Sequence, residues 1–226
     1  IRDRFFYFIP LLMTITGLVL IGFVVWPIAA YELSDPTKEN AYSKSGLLNP
    51  FIAASSRLEV LAAPKLISDS DFTQITSWFP TASLSTSPNI PIKEYSLSIP
   101  KFKIKDATVR ADSTDLSKSL IQYPGTALPG TLGAPVVFGH SILPQFFNPK
   151  NYLSIFSLLP SLNSGDEIIV DYDGVTYTYI VSDKIEVYPQ DVWVLQQDYD
   201  QKRLKLITCV PPGLKTKRLV VTAILR

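Results

Sequence analysis

The run FFYFIPLLMTITGLVLIGFVVWPIAAY, residues 5–31, holds 27 residues without one charged side chain, and it constrains the chain more than any other feature. A helix crossing a bilayer needs about 20 apolar residues. The run is longer than that and apolar on all sides, which argues for a membrane span over the core helix of a soluble domain. A cleaved signal has an apolar region of only about 7–15 residues, and Ala29–Ala30 is a weak cleavage site. Pro10 and Pro27 are expected to mark the two ends, because proline breaks the helical ladder. Tyr7 on one side and Trp26 and Tyr31 on the other suit the membrane–water interfaces. Arg2 and Arg4 precede the run, whereas Glu32 and Asp35 follow it and the first downstream lysine is Lys38. The positive flank stays inside, so the expectation is a single-pass protein of the cell membrane, N-terminus cytoplasmic and the bulk extracytoplasmic.

The expected organisation is a transmembrane anchor over residues 1–31, an extracytoplasmic stalk or linker over 32–90, and a β-rich domain over 91–226. The stalk is mixed in character. Residues 34–46 are polar, 58–63 suit a short helix, and 80–91 (PTASLSTSPNIP) are rich in Ser, Thr and Pro, a composition that need not build a core. Its expected role is a spacer. A lid folding back over a site is the alternative.

From Tyr95 the pattern turns to period-two alternation with β-branched and aromatic residues. Residues 95–104 read as one or two strands interrupted at Pro100, and 107–109 as a short strand. A helical turn is expected at 116–120, a loop at 125–133, a buried strand at 136–139 and a short helix at 151–159. Asp173-Gly174 is a hairpin signal between strands 166–172 and 175–187. Strands at 202–208 and 218–225 close the list. Seven or eight short strands in so short a stretch predict a mainly β fold, a closed seven- to eight-stranded β-barrel with short helices.

Charge narrows the function. With 21 basic and 20 acidic residues the net charge is +1, so no nucleic-acid partner is expected. A single cysteine and a single histidine exclude an internal disulfide, multi-cysteine zinc patterns and His-rich metal sites. His140 follows the apolar strand VVFG, Cys209 ends LKLIT, and Arg218 opens the last strand. All three fall at strand ends. A thiolate favoured by a nearby imidazolium is a nucleophile, an imidazole can protonate a leaving amine, and a fixed guanidinium can stabilise a tetrahedral oxyanion. Each residue has a plainer alternative: a buried cysteine, a structural histidine, a solvated arginine.

The local sequences separate these readings. Residues 206–209 (LITC) resemble the TLxTC motif of the sortases, 137–141 (VFGHS) their strand leading to a histidine, and 216–221 (TKRLVV) their arginine-bearing last strand. Residues 123–141 and 155–181 also resemble the corresponding parts of that family, in order. The resemblance implies Cys209 as nucleophile, His140 as general acid/base, Arg218 as the residue that positions substrate and stabilises the oxyanion, and Thr208 against the substrate. Ser141, Trp193 and Pro211 are expected at the substrate groove. Lys205 stands where the motif opens with Thr. The nine-residue Cys-to-Arg interval resembles the short loop of class C, D and E sortases, although no Asp-Pro-aromatic lid motif is present.

The resemblance further implies a cysteine transpeptidase. It would cut an LPxTG-like sorting motif near the C-terminus of secreted proteins and transfer it to an amine acceptor, a cell-wall precursor or a pilin lysine. No cofactor and no metal are expected; Asp106, Asp112 and Asp115 read as solvated loop residues. The alternative is a catalytically silent, surface-displayed β-barrel that only binds.

Overall fold

A computed structural model describes residues 2–34, 73–79 and 93–226. The chain opens with one helix, α1 (Arg2–Ser34). It runs through both Pro10 and Pro27 rather than ending at them. Proline removes one backbone bond, and in apolar surroundings every residue left out of the helix would leave more unsatisfied groups. Within α1, Pro10–Leu33 is long and apolar enough to cross a membrane. The short helix expected at 58–63 lies outside the described residues.

Among the described residues eight strands follow: β1 (Glu94–Ile99), β2 (Ile104–Arg110), β3 (Leu120–Gln122), β4 (Val136–Phe138), β5 (Glu167–Tyr172), β6 (Val175–Val187), β7 (Arg203–Val210) and β8 (Lys217–Leu225). They close into a barrel in the order β1-β2-β3-β4-β7-β8-β6-β5. β1 pairs back onto β5. The β2–β3 and β4–β7 pairs are parallel, and the others are antiparallel.

The break at Pro100 is real: a 3₁₀ turn (Pro100–Phe102) separates β1 from β2, and the strand expected at 107–109 is the middle of β2. Asp173 (φ 54°) and Gly174 (φ 71°) both take the left-handed region that a tight hairpin turn requires. Residues 151–159 are a chain of tight turns rather than a helix. Ser154 and Ser157 donate backbone bonds three residues back. The Ser154 hydroxyl accepts from the Asn148 N–H and the Asn151 carboxamide from the Leu153 N–H; such local side-chain bonds compete with a helical ladder. A 3₁₀ turn (Leu159–Ser161) follows. Residues 116–118 form a turn, and Leu120 already belongs to β3.

Strand alternation divides the buried residues into two sets. One set, with Leu120, Val137, Leu204, Leu206, Val221 and Ala223, fills the barrel. The other, with Ile121, Val136, Phe138, Ile207, Cys209 and Val220, lies on the outer face of β3, β4, β7 and β8. That face is covered by residues 73–79, through Ile75, Trp78 and Phe79, and by Val194. Within the 32–90 stretch, residues 73–79 are therefore packed onto the barrel. Gln74 bridges to Asp115, and the Ile75 and Leu116 N–H groups bond to the Thr114 and Thr73 carbonyls.

Candidate active site

The period of two along a strand puts every second residue on one face. Residues 136, 138 and 140 continue the outer face of β4, residues 205, 207 and 209 that of β7, and 218 and 220 that of β8. His140, Cys209 and Arg218 thus share one face, the one covered by residues 73–79. Cys209 stands opposite Arg218 in the β7–β8 register. The parallel β4–β7 pair, prolonged by the Gly139 N–H donating to the Ile207 carbonyl at 3.2 Å, brings the His140 backbone alongside.

Close approach fixes this corner. A side chain on Gly139 would meet Phe156 at 2.5 Å and Leu120 at 2.6 Å, so only glycine lets the end of β4 pass between them before His140. The His140 carbonyl accepts from the Phe156 N–H at 2.9 Å. Thr208, fully buried on the inward parity, donates its hydroxyl to the Gly139 carbonyl at 2.8 Å. Half-buried Ser141 donates to the Cys209 carbonyl at 2.6 Å. Two of the residues expected at the groove therefore tie the histidine strand to the cysteine strand.

Arg218 is 1% exposed. Its Nη1 donates to the Lys215 and Lys217 carbonyls at 3.0 and 3.1 Å, and Nη2 to the Trp78 carbonyl at 3.2 Å. The guanidinium also lies 5.4 Å from the centre of the Trp78 ring, a favourable cation–π distance. Burial lowers the Arg218 pKa, opposed by the neighbouring Cys209. Burial raises the Cys209 thiol, opposed by the positive charges of Arg218 and Lys215. In the covered site burial thus works against the thiolate, while its own cations pull the other way.

Trp78 is fully buried. Its ring packs 5.6 Å from the His140 ring and edge-on to Phe138 at 5.5 Å. Sequence reading assigned no role to it. The only signal was the apolar pair Trp78-Phe79 in an otherwise polar stretch.

The remaining expected groove residues sit around this centre. Trp193, 51% exposed, stands on the 3₁₀ turn Val192–Leu195, whose Val194 is buried in the outer-face cluster. Lys205, in place of the motif threonine, donates Nζ to the Val194 carbonyl at 2.7 Å and the Gln196 carbonyl at 3.3 Å, so it pins that turn to β7. Pro211, two residues after Cys209, is buried. Asp112 pairs with Arg110, and Asp115 with Ser117 and Lys118. Among the described residues no three His, Cys, Asp or Glu side chains gather as a metal site.

A barrel with a cysteine, a histidine and an arginine on one face is the architecture of a class of cysteine transpeptidases, and comparison with known proteins agrees. Residues 97–226 match the sortase domain, and the chain belongs to the sortase family. Among solved structures it resembles a lid mutant of sortase A from Corynebacterium diphtheriae, at 29% identity and TM-score 0.51, covering 63% of this chain and 72% of that one. Sortase C-1 from Actinomyces oris is similar at 28% identity and TM-score 0.51, covering 58% and 72%. A pilus-related sortase C of Group B Streptococcus shares the fold at 24% identity and TM-score 0.53, covering 66% and 78%. No curated protein sequence matches the chain. The protein is accordingly a cysteine transpeptidase, and Cys209 is its single cysteine.

Proposed function

We propose that the protein is a membrane-anchored sortase that uses Cys209, His140 and Arg218 to move a secreted protein from its sorting motif to an amine. The observation that carries this reading is the placement of Cys209 opposite Arg218, with His140 on the adjoining strand end, on one face of a sortase-family barrel. α1 serves as the anchor, with Arg2 and Arg4 on the cytoplasmic side and the barrel outside.

In this reading the Cys209 thiolate attacks the Thr–Gly carbonyl of an LPxTG-like motif. Arg218 stabilises the oxyanion that forms. His140, as imidazolium, gives its proton to the departing glycine amine as the C–N bond breaks, leaving a thioester. The acceptor amine then attacks the thioester, His140 takes its proton, and Cys209 leaves as thiolate while a new amide forms. Trp193 and the turn it stands on supply one wall of the peptide groove. With Trp78 packed on the reacting face, residues 73–79 act as a cover that must move before a peptide reaches Cys209.

Product analysis tests transfer against plain hydrolysis. With an LPxTG-like peptide and a glycine-based amine, mass spectrometry is expected to find the peptide–amine conjugate. Only hydrolysed peptide, whatever the amine concentration, would make the protein a protease and overturn the transfer reading.

A further inference from the structure

The anchor and the catalytic face are joined in an unexpected place. Residues 27–31 of α1 are half-buried against the barrel, whereas nearly all of residues 10–26 are exposed. Tyr31 packs against the barrel core and donates its hydroxyl to Glu186, which also pairs with Lys217 at 3.1 Å. Glu186 lies at the end of β6 where Val187 faces Arg218. α1 therefore leaves its apolar stretch beside the Cys209 end of the barrel, not the opposite end.

A second contact lies lower on the helix. Pro27 has no N–H, so the carbonyl four residues earlier, that of Phe23, lacks its helical donor. Gln145 Nε2 donates to that carbonyl at 3.5 Å. Gln145 sits five residues after His140, in a loop whose next residue, Phe146, is 57% exposed. This loop touches the Cys-to-Arg loop. A side chain on Gly213 would come 3.1 Å from Leu143, and Leu214 beside it is exposed, followed by Lys215.

Length sets the depth. At 1.5 Å per residue, a hydrocarbon layer of about 30 Å takes about 20 residues of the 27-residue run. Trp26 and Tyr31 stand at the far end of that run, where interfacial aromatics are favoured, and Phe23 lies about 4.5 Å below Trp26 along the helix.

We propose that the catalytic rim docks on the outer bilayer surface beside α1, with Gln145 on the carbonyl that Pro27 leaves open and Phe146 seated among the lipids. The occupant of this apolar surface is the lipid bilayer, and the proposal rests on the reading that α1 spans it. Lys215, exposed on the Cys-to-Arg loop, is the charge that would meet anionic headgroups there. The groove then opens at the membrane surface.

The test uses the full chain carrying Cys209→Ala, reconstituted in phosphatidylcholine–phosphatidylglycerol vesicles. A single cysteine is introduced as Phe146→Cys, Leu18→Cys or Leu132→Cys and labelled with an environment-sensitive fluorophore. Leu132 is exposed at the other end of the barrel, next to the Gly133–Lys202 bridge. Lipids bearing a shallow nitroxide should quench roughly half or more of the Phe146→Cys signal, as expected for a side chain within the interfacial layer, and leave the Leu132→Cys signal unchanged. Adding Gln145→Leu should weaken the quenching at position 146. A Phe146→Cys label as unquenched as Leu132→Cys, with Leu18→Cys quenched by deep nitroxides, would overturn the docking and leave the anchor standing. An unquenched Leu18→Cys label would overturn the anchor, and the docking with it.

Discussion

Arg218→Ala should lower kcat/KM for the sorting peptide by about 10²–10³-fold, the loss typical of removing one oxyanion donor. The side chain is buried, lies across from Cys209, and donates to three carbonyls. A merely structural arginine would give a different pattern. Arg218→Lys retains charge but not the planar fork, so it should fold and still lose most of kcat. Because Arg218 is one of the charges drawing the thiol down, Arg218→Ala should also slow alkylation of Cys209 at fixed pH. Full turnover in a folded Arg218→Lys or Arg218→Ala protein would remove Arg218 from the proposed chemistry.

Trp78→Ala should have two large effects of opposite sign. Truncating a fully buried tryptophan costs about 3–5 kcal/mol, and here it also removes the cation–π partner of Arg218. Stability should fall accordingly in denaturant unfolding. At the same time Cys209 should become accessible. Burial is the largest influence raising its pKa, so in the parent protein the rate of iodoacetamide alkylation should climb with pH past the ordinary thiol range. Opening the cover moves that profile to lower pH, and a profile displaced by one pH unit means about tenfold more thiolate at neutral pH. The raised thiol pKa also makes stability depend on pH. The folded form holds the proton more tightly, a stabilisation present below the unfolded thiol pKa and lost as pH rises from there through the folded one. Trp78→Phe keeps most of the packing and should fall between. Alkylation no faster in Trp78→Ala than in the parent would show that residues 73–79 do not control access to Cys209.

Much of this molecule was legible in its residues because the signals are local. The uncharged run at 5–31, the Asp173-Gly174 turn and the alternation of β1 and β5 each follow from a few neighbouring side chains. So does the shared outward parity of His140, Cys209 and Arg218 once their strands are placed. The short strand β3 was not legible: its three residues, Gln122 included, are all buried, so it shows no alternation. The turns at 151–159 resembled a helix because apolar spacing there carries no mark of the serine and asparagine bonds that break the ladder. Trp78 was beyond reach for another reason. Its importance comes from residues far along the chain, Phe138, His140 and Arg218, and only the closed barrel brings them to it. Pro27 shows a similar limit: it reads as a helix end until Gln145 is seen beside the carbonyl it leaves open.

The central claim is that Cys209 becomes acylated by a sorting peptide. The most direct test is intact-mass spectrometry of the full chain incubated with LPxTG-like peptides in the absence of amine, in parallel with Cys209→Ala and, to guard against the cover, with Trp78→Ala. The account predicts a mass increase equal to the peptide cleaved after its threonine, mapped to Cys209 and absent from Cys209→Ala. No adduct with any such peptide in either the folded parent or folded Trp78→Ala, or an adduct that persists in Cys209→Ala, would contradict it.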